Sequence, residues 1–284
     1  MSVDHYENFP VASWLCPASL RAPISAIYWF ARTADDIADE GDLPAAKRLE
    51  QLQAYRVELH RVVGGAPPSP RWQSVFAPLQ TALLSHRLPP QLLDDLLSAF
   101  MRDTANPEYR SRADLLDYCR LSANPVGRLL LHLHGLDRVL DLQRSDAICS
   151  ALQLINFWQD LSVDLPRGRC YIPVDDAARH GLLRADLQAG PPDAAGRALL
   201  RELCGWAGSL MRQGAPLVHA LPGRAGWELR LVVQGGLRIL EKIAAMNHAS
   251  QERRPVLRLA DGPRLLWRAL RMAPAAQGAP DRSR

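Results

Sequence analysis

Apolar residues recur every three or four positions along most of this chain, and almost nowhere at every second position. Between residues 22 and 40, Ile24, Ile27, Tyr28, Ala31 and Ala34 fall at helical spacing, Pro23 suits a first turn, and Gly41 and Pro44 end the pattern. The same period predicts further helices over 45–63, 72–86, 90–103, 113–134, 144–164, 195–220 and 226–250. Breaker clusters such as Gly64-Gly65-Ala66-Pro67-Pro68 and Pro191-Pro192 separate them. Residues 255–272 offer one more helix, with Leu257, Leu265, Leu266 and Trp267 opposite arginines, although Gly262-Pro263 interrupts it. From Ala273 onward the mixture of Ala, Pro, Gly and Arg reads as a disordered tail. No stretch alternates long enough for a sheet and no internal repeat emerges. The expectation is therefore an all-α fold, with residues 1–272 as a single helical domain and 273–284 as a tail.

Composition leaves that picture in place and narrows the chemistry. At 284 residues length alone would favour two domains, but 48% apolar and 23% charged residues describe an ordinary globular protein with ample core material. The net charge of +4 is small and its cations are scattered, which argues against nucleic acid as a partner. Only Lys47 and Lys242 are lysines, so nearly every cation is an arginine, a side chain that grips phosphate with two parallel hydrogen bonds. Genomic base composition is the plainer cause of that bias. Five cysteines without a CxxC pair, and no signal peptide ahead of them, fit a reduced cytoplasmic protein. No apolar stretch nears the roughly 20 residues that span a bilayer. Peripheral contact with the inner face of the cytoplasmic membrane, through Arg253-Arg254 and 255–272, stays open.

Two acidic clusters stand out against apolar helices. Asp35, Asp36, Asp39 and Glu40 crowd the C-terminal end of the first helix, where like charges and the helix dipole both oppose them. The preceding Ala26-Ile27-Tyr28-Trp29-Phe30-Ala31 is apolar on nearly every side, so these carboxylates need a partner. In the second cluster Asn156, Asp160 and Asp164 follow at i, i+4 and i+8 and share one face of the helix expected over 144–164. Leu154, Ile155, Phe157, Trp158 and Leu161 make its remainder apolar. Oxygen-only donors without a nearby His or Cys suit a hard cation, and Mg²⁺ commonly takes one or two carboxylates with phosphate and water completing its shell. Two such helices facing one another would hold a diphosphate.

On these residues the chain resembles the squalene/phytoene synthase family. Ala31-Arg32-xx-Asp35-Asp36-xx-Asp39 is similar to the family's first aspartate motif. Gln153-xx-Asn156-xxx-Asp160-xxx-Asp164, followed by Gly168-Arg169-x-Tyr171-Ile172-Pro173, is similar to the second motif with its trailing loop. The pair stands about 120 residues apart, in the family's order. Tyr118-Cys119-Arg120-Leu121-Ser122-Ala123-Asn124-Pro125-Val126-Gly127 resembles its central helix. The likeness covers almost all of 1–272, and implies the isoprenoid synthase fold: a helical bundle around a central apolar cavity.

The resemblance implies that Asp35, Asp39, Asn156, Asp160 and Asp164 bind two or three Mg²⁺ ions with the diphosphate of an isoprenoid substrate. Catalytic roles fall to Asp35, Asp160 and Tyr118, the last beside the reacting carbons. His5, Phe9, Tyr28, Arg32, Gln153, Phe157, Arg169 and Tyr171 correspond to substrate-contacting positions, and Trp14 would add to the apolar channel. Three departures point to a subgroup. The family's Arg and Glu before the second-motif aspartates are here Gln159 and Val163; its central VAGxVG reads Ser122-Ala-Asn-Pro-Val-Gly127; and a tyrosine near the last core helix becomes Gly235 or Gly236. Loss of Arg at 159 suggests one diphosphate instead of two, and thus conversion of presqualene diphosphate and water to hydroxysqualene and diphosphate. Asn124 is the candidate for positioning that water. No reductant or nicotinamide cofactor is expected, and hand-off to other squalene-pathway enzymes is a possible partnership. Two alternatives stay open: head-to-head condensation of two prenyl diphosphates to presqualene diphosphate, squalene or phytoene, and a non-catalytic helical relative acting in assembly or at membranes.

Overall fold

In the computed structural model, which describes residues 17–40, 42–188 and 190–272, every regular element among the described residues is helical. His5, Phe9, Trp14 and the tail 273–284 lie outside the described residues. Helices α1 (Ala18–Asp39), α2 (Ala45–Val63), α3 (Gln73–His86) and α4 (Pro90–Asp103) come first. They pack around one aromatic knot: Phe30 stacks on Tyr55 at 5.3 Å, Phe76 meets both edge-on, and the Tyr55 hydroxyl donates to the Phe30 carbonyl at 3.2 Å. Ala26, Ile27, Phe30, Ala34 and Ala38 are the buried stripe of α1, at helical spacing. Pro23 lies inside α1 and not in its first turn, because the helix already starts at Ala18. Its missing N–H costs a single bond near the start, which a 22-residue helix tolerates.

A second apolar cluster surrounds α7 (Val139–Gln159) and is closed by α5 (Arg112–Ser122), α11 (Ala194–Gly214) and α12 (Gly223–Ala245). Trp158, Leu154, Leu203 and Met211 are at its centre, all fully buried. The two clusters are bridged by α6 (Asn124–Leu133), which gives Leu129 to one and Leu131 to the other. At the α7–α11 crossing a Cβ on Gly214 would stand 2.5 Å from the Arg144 carbonyl oxygen, so only glycine allows this approach.

The helix expected over 113–134 is two helices. Pro125 cannot donate to the carbonyl four residues back, and the chain turns at Ala123 before resuming as α6. The helix expected over 144–164 starts earlier, at Val139, and bends at Asp160, which closes α7 and opens the short α8 (Leu161–Asp164). Pro166 then tightens the chain into a 3-10 turn, Leu165–Arg167. Two short helices follow, α9 (Val174–Arg179) and α10 (Arg184–Gln188), where no helix was expected. Helix α13 (Gly262–Leu270) begins at Gly262-Pro263 instead of being interrupted there, since a proline in the first turn removes no bond. No described helix is long and apolar enough to cross a membrane.

Candidate active site

The C-terminal end of α1 carries four acids and no base in its last turn, the arrangement the helix dipole disfavours. Arginines from one turn back and from elsewhere in the fold offset this. Arg32 reaches Asp35 at 3.1 Å, Asp36 at 2.6 Å and Glu40 at 2.9 Å. Arg48 of α2 caps the Ala38 carbonyl at 2.6 Å. From the far end of the sequence motif, Arg169 grips Asp39 with two parallel bonds of 2.7 and 2.8 Å. That grip depends on Gly168, whose φ of 75° turns the chain after the 3-10 segment so that the Arg169 N–H also bonds the Asp164 carbonyl at 2.9 Å.

Asn156, Asp160 and Asp164 are not carried by one straight helix, because α7 ends at Gln159. The turn-by-turn ladder nevertheless continues: Asp160 N–H bonds the Asn156 carbonyl and Asp164 N–H bonds the Asp160 carbonyl, both at 2.9 Å. Asn156 is exposed, Asp160 and Asp164 half-buried. Asp160 is paired with Arg254, an arginine the sequence reading assigned only to membrane contact.

Electrostatics tie the two acidic ends together. Burial pushes the Asp35 carboxyl up to about 6, with Asp39 adding and Arg32 opposing. Burial also pushes Asp164 up to about 6, with Asp160 and more distantly Asp39 adding and Arg169 opposing. Asp103, at the end of α4, rises to about 7 through burial; the hydrogen bond from Tyr118 and the charge of Arg169 oppose this, while Asp39 and Asp35 add to it. Asp39 and Arg169 therefore act on carboxylates from three separate segments.

Tyr118 heads an aromatic wall. Its hydroxyl donates to Asp103 at 2.8 Å, and burial raises its own ionisation far above the usual range for a tyrosine. Phe157 of α7 stacks on Tyr171 with ring centres 3.7 Å apart and planes 7° from parallel, and Tyr118 tilts against both at 6.1 and 6.2 Å. Tyr109 completes the group at 5.4 Å from Tyr118, its buried hydroxyl without a hydrogen-bond partner. The wall is held in place by α5, whose first turn is fixed by Ser111 and Asp114 capping one another.

Of the remaining sequence candidates, Tyr28 is half-buried and edge-on to Trp29 at 5.3 Å, and Gln153 is half-buried two turns before the bend. Asn124 is buried at the start of α6, its side-chain oxygen accepting from Ser150 at 3.0 Å. His5 and Phe9 fall outside the described residues. Asp103 accepts the Tyr118 hydroxyl and also stands within the field of both acidic ends. Gln159 is fully buried and donates to the Pro255 carbonyl at 2.6 Å. A Cβ at 236 would stand 2.8 Å from Met211 Cε and 3.2 and 3.3 Å from the side chains of Leu152 and Ile155, so any larger residue there requires Met211 to shift.

The donor set fits a hard divalent cation. It is oxygen only, and two of its carboxyls are held well above their ordinary range by burial and by neighbouring carboxylates, a strain that a cation relieves. No three acidic, histidine or cysteine side chains among the described residues converge on one point. Substrate oxygens and water would complete the shell, as is usual for Mg²⁺.

Residues 3–261 match the family described as squalene/phytoene synthase. A hydroxysqualene synthase from Rhodopseudomonas palustris is 36% identical over 252 residues, covering 86% of this chain and 82% of that one. Another from Sinorhizobium fredii is 36% identical over 241 residues, covering 84% and 79%. Among solved structures, the squalene synthase HpnC from Alicyclobacillus acidocaldarius superposes with a TM-score of 0.79 at 35% identity, covering 86% of this chain and 90% of that one. With the aspartate helix ends, the aromatic wall and this extent of likeness in agreement, the chain is a member of the squalene/phytoene synthase family.

Proposed function

We propose that the protein ionises a prenyl substrate bearing one diphosphate, converting presqualene diphosphate and water to hydroxysqualene and diphosphate. The observation that carries this reading is the electrostatic meeting of two acidic helix ends next to a stacked aromatic wall. Asp35 and Asp39 from α1, with Asn156, Asp160 and Asp164 from α7 and α8, would hold two or three Mg²⁺ ions. Bound there, the metal supplies neutralisation of the charge that develops on the leaving group. Arg32, Arg169 and Arg254, now paired with carboxylates, are the cations that would turn to diphosphate oxygens.

The carbon–oxygen bond breaks with both electrons leaving on the diphosphate. The cyclopropylcarbinyl cation rearranges against the faces of Tyr118, Phe157 and Tyr171, whose π electrons stabilise positive charge. A water oxygen then bonds to carbon and releases its proton. No electron donor is consumed, so no nicotinamide is required. Asn124, anchored by Ser150, is assigned to hold the water. Asn124→Ala forming hydroxysqualene at the wild-type rate would remove it from that role. Tyr28, Gln153, His5 and Phe9 are assigned to the prenyl chain and diphosphate by resemblance alone.

The choice of one diphosphate over two is supported by Gln159. Buried and bound to the Pro255 carbonyl, it brings no cation to a second leaving group. Products should be analysed after incubation with Mg²⁺ and either farnesyl diphosphate alone or presqualene diphosphate alone. Hydroxysqualene from the second substrate and no product from the first is expected; presqualene diphosphate, squalene or phytoene-type products from condensation would overturn the reading.

A further inference from the structure

Helix α13 is attached to α12 by one side only. Ala269 is fully buried, and Arg230 of α12 donates to the carbonyls of Ala269 at 3.2 Å and Met272 at 3.0 Å. Glu241 of α12 takes up Arg264 at 3.1 Å, Arg268 at 2.5 Å and Arg238 at 3.0 Å. These contacts account for the docking without Leu266, Trp267 and Leu270, which stay 53%, 53% and 60% exposed. Leu259, just ahead of the helix, is fully exposed. An apolar ridge that the fold does not use thus runs along the outside of α13.

Beside the ridge, α11, α12 and α13 enclose a groove of about 620 Å³ that shares no residue with the acidic helix ends. It is lined by the half-buried Leu237 and Leu240, and the exposed Arg201, Arg212 and Arg271, with the half-buried Arg268, make its rim cationic. The one carboxylate in its lining, Glu241, is already shared among three arginines. Arg201 and Arg212 have no acidic partner among the described residues, and Arg271 lies over the Trp267 ring at 4.1 Å. Apolar ridge and cationic rim adjoin each other at Trp267.

We infer that this face, the outer side of α13 with the arginine-rimmed groove, docks the protein on an anionic lipid bilayer. Leu266, Trp267 and Leu270 enter the interfacial layer, where an indole is well placed between hydrocarbon and headgroups. Arg201, Arg212 and Arg271 meet lipid phosphates. Charge complementarity selects this occupant. A second copy would bring its own arginine rim against this one, and a polyanion without an apolar surface would leave the leucines uncovered. The inference is independent of which prenyl diphosphate is turned over.

Co-sedimentation of the whole chain with phosphatidylcholine vesicles, with and without phosphatidylglycerol, tests it. Binding is expected with the anionic vesicles and to fade with added salt. Arg201→Ala and Arg212→Ala should each weaken partitioning by about fivefold. Leu266→Ser with Leu270→Ser, at positions 53% and 60% exposed and so expected to leave the circular dichroism unchanged, should weaken it by about tenfold or more. Brominated lipid should quench wild-type tryptophan emission more than that of Trp267→Phe. Equal binding to neutral and anionic vesicles, no binding to either, or variants that bind like the wild type would overturn the inference. Light scattering showing a dimer that Leu266→Ser and Leu270→Ser dissolve would replace the bilayer with a second copy.

Discussion

Replacing Asp103 with asparagine is expected to stabilise the ligand-free protein, and increasingly so as pH rises. Burial, with the charges of Asp39 and Asp35, lifts this carboxyl from 3.8 to about 7, against the pull of Tyr118 and Arg169. A carboxyl whose folded value exceeds its unfolded one holds its proton more tightly in the fold. Its stabilising contribution is therefore full below about 4 and is lost as pH climbs to about 7. At ~1.4 kcal/mol per pH unit the span is worth ~4 kcal/mol. Partial contact with water and relaxation of the site reduce this to ~1–2 kcal/mol. An amide at 103 escapes the cost while its oxygen still accepts the Tyr118 hydroxyl. Urea unfolding followed by circular dichroism, with EDTA present, should show Asp103→Asn more stable than wild type by ~1–2 kcal/mol at pH 8, and by half of that or less at pH 5. A variant equally destabilised at both pH values would refute the reasoning, for Asp103 would then be a needed counter-ion of Arg102 or Arg169 and not a strained acid.

Mg²⁺ with pyrophosphate should raise the thermal midpoint more at pH 8 than at pH 5, because Asp35 and Asp164 stand at about 6 and protons relieve their repulsion below it. A shift independent of pH in differential scanning would place the metal elsewhere. Arg254→Gln should raise KM for the diphosphate substrate by about tenfold or more, and should also cost ~1–3 kcal/mol in folding, since its pair with Asp160 is largely buried, the side chains being 16% and 17% exposed. Unchanged kinetics would put Arg254 outside the diphosphate site. Gly214→Ala should cost ~1–3 kcal/mol by forcing α7 and α11 apart, whereas Gly205→Ala, with open space around its Cβ, should gain up to ~1 kcal/mol. The same urea titration reads both, and a tolerated alanine at 214 would deny that the crossing is this close.

Helices bounded by strong breakers were legible residue for residue. The expected 45–63 and 90–103 coincide with α2 and α4, each flanked by proline or glycine. Periodicity overran Ala123 and Asp160, because an apolar face continues across a bend that only backbone hydrogen bonding betrays. Helices α9 and α10 have 6 and 5 residues, too few for a period to show. In the site, acids crowded onto apolar helices announced themselves through their cost. Arg254 did not: it lies 94 residues from Asp160 in a segment without periodicity, and nothing local marks the pairing. The place of Asp103 in the field of Asp35 and Asp39 is likewise a matter of tertiary approach.

The grip of Arg169 on Asp39, like that of Arg254 on Asp160, means that a proposed metal ligand arrives already spoken for. A metal ion alone would have to displace a guanidinium from its carboxylate, and a diphosphate alone would have to approach carboxylates that repel it. Arriving together they would let the partners exchange, the arginine turning to phosphate as the carboxylate turned to metal. Each then prepares the place of the other, and by reciprocity the gain in affinity is equal in both directions. A site built in this way would resist idle loading with metal, and would commit its cations only when a leaving group is present to be drawn away.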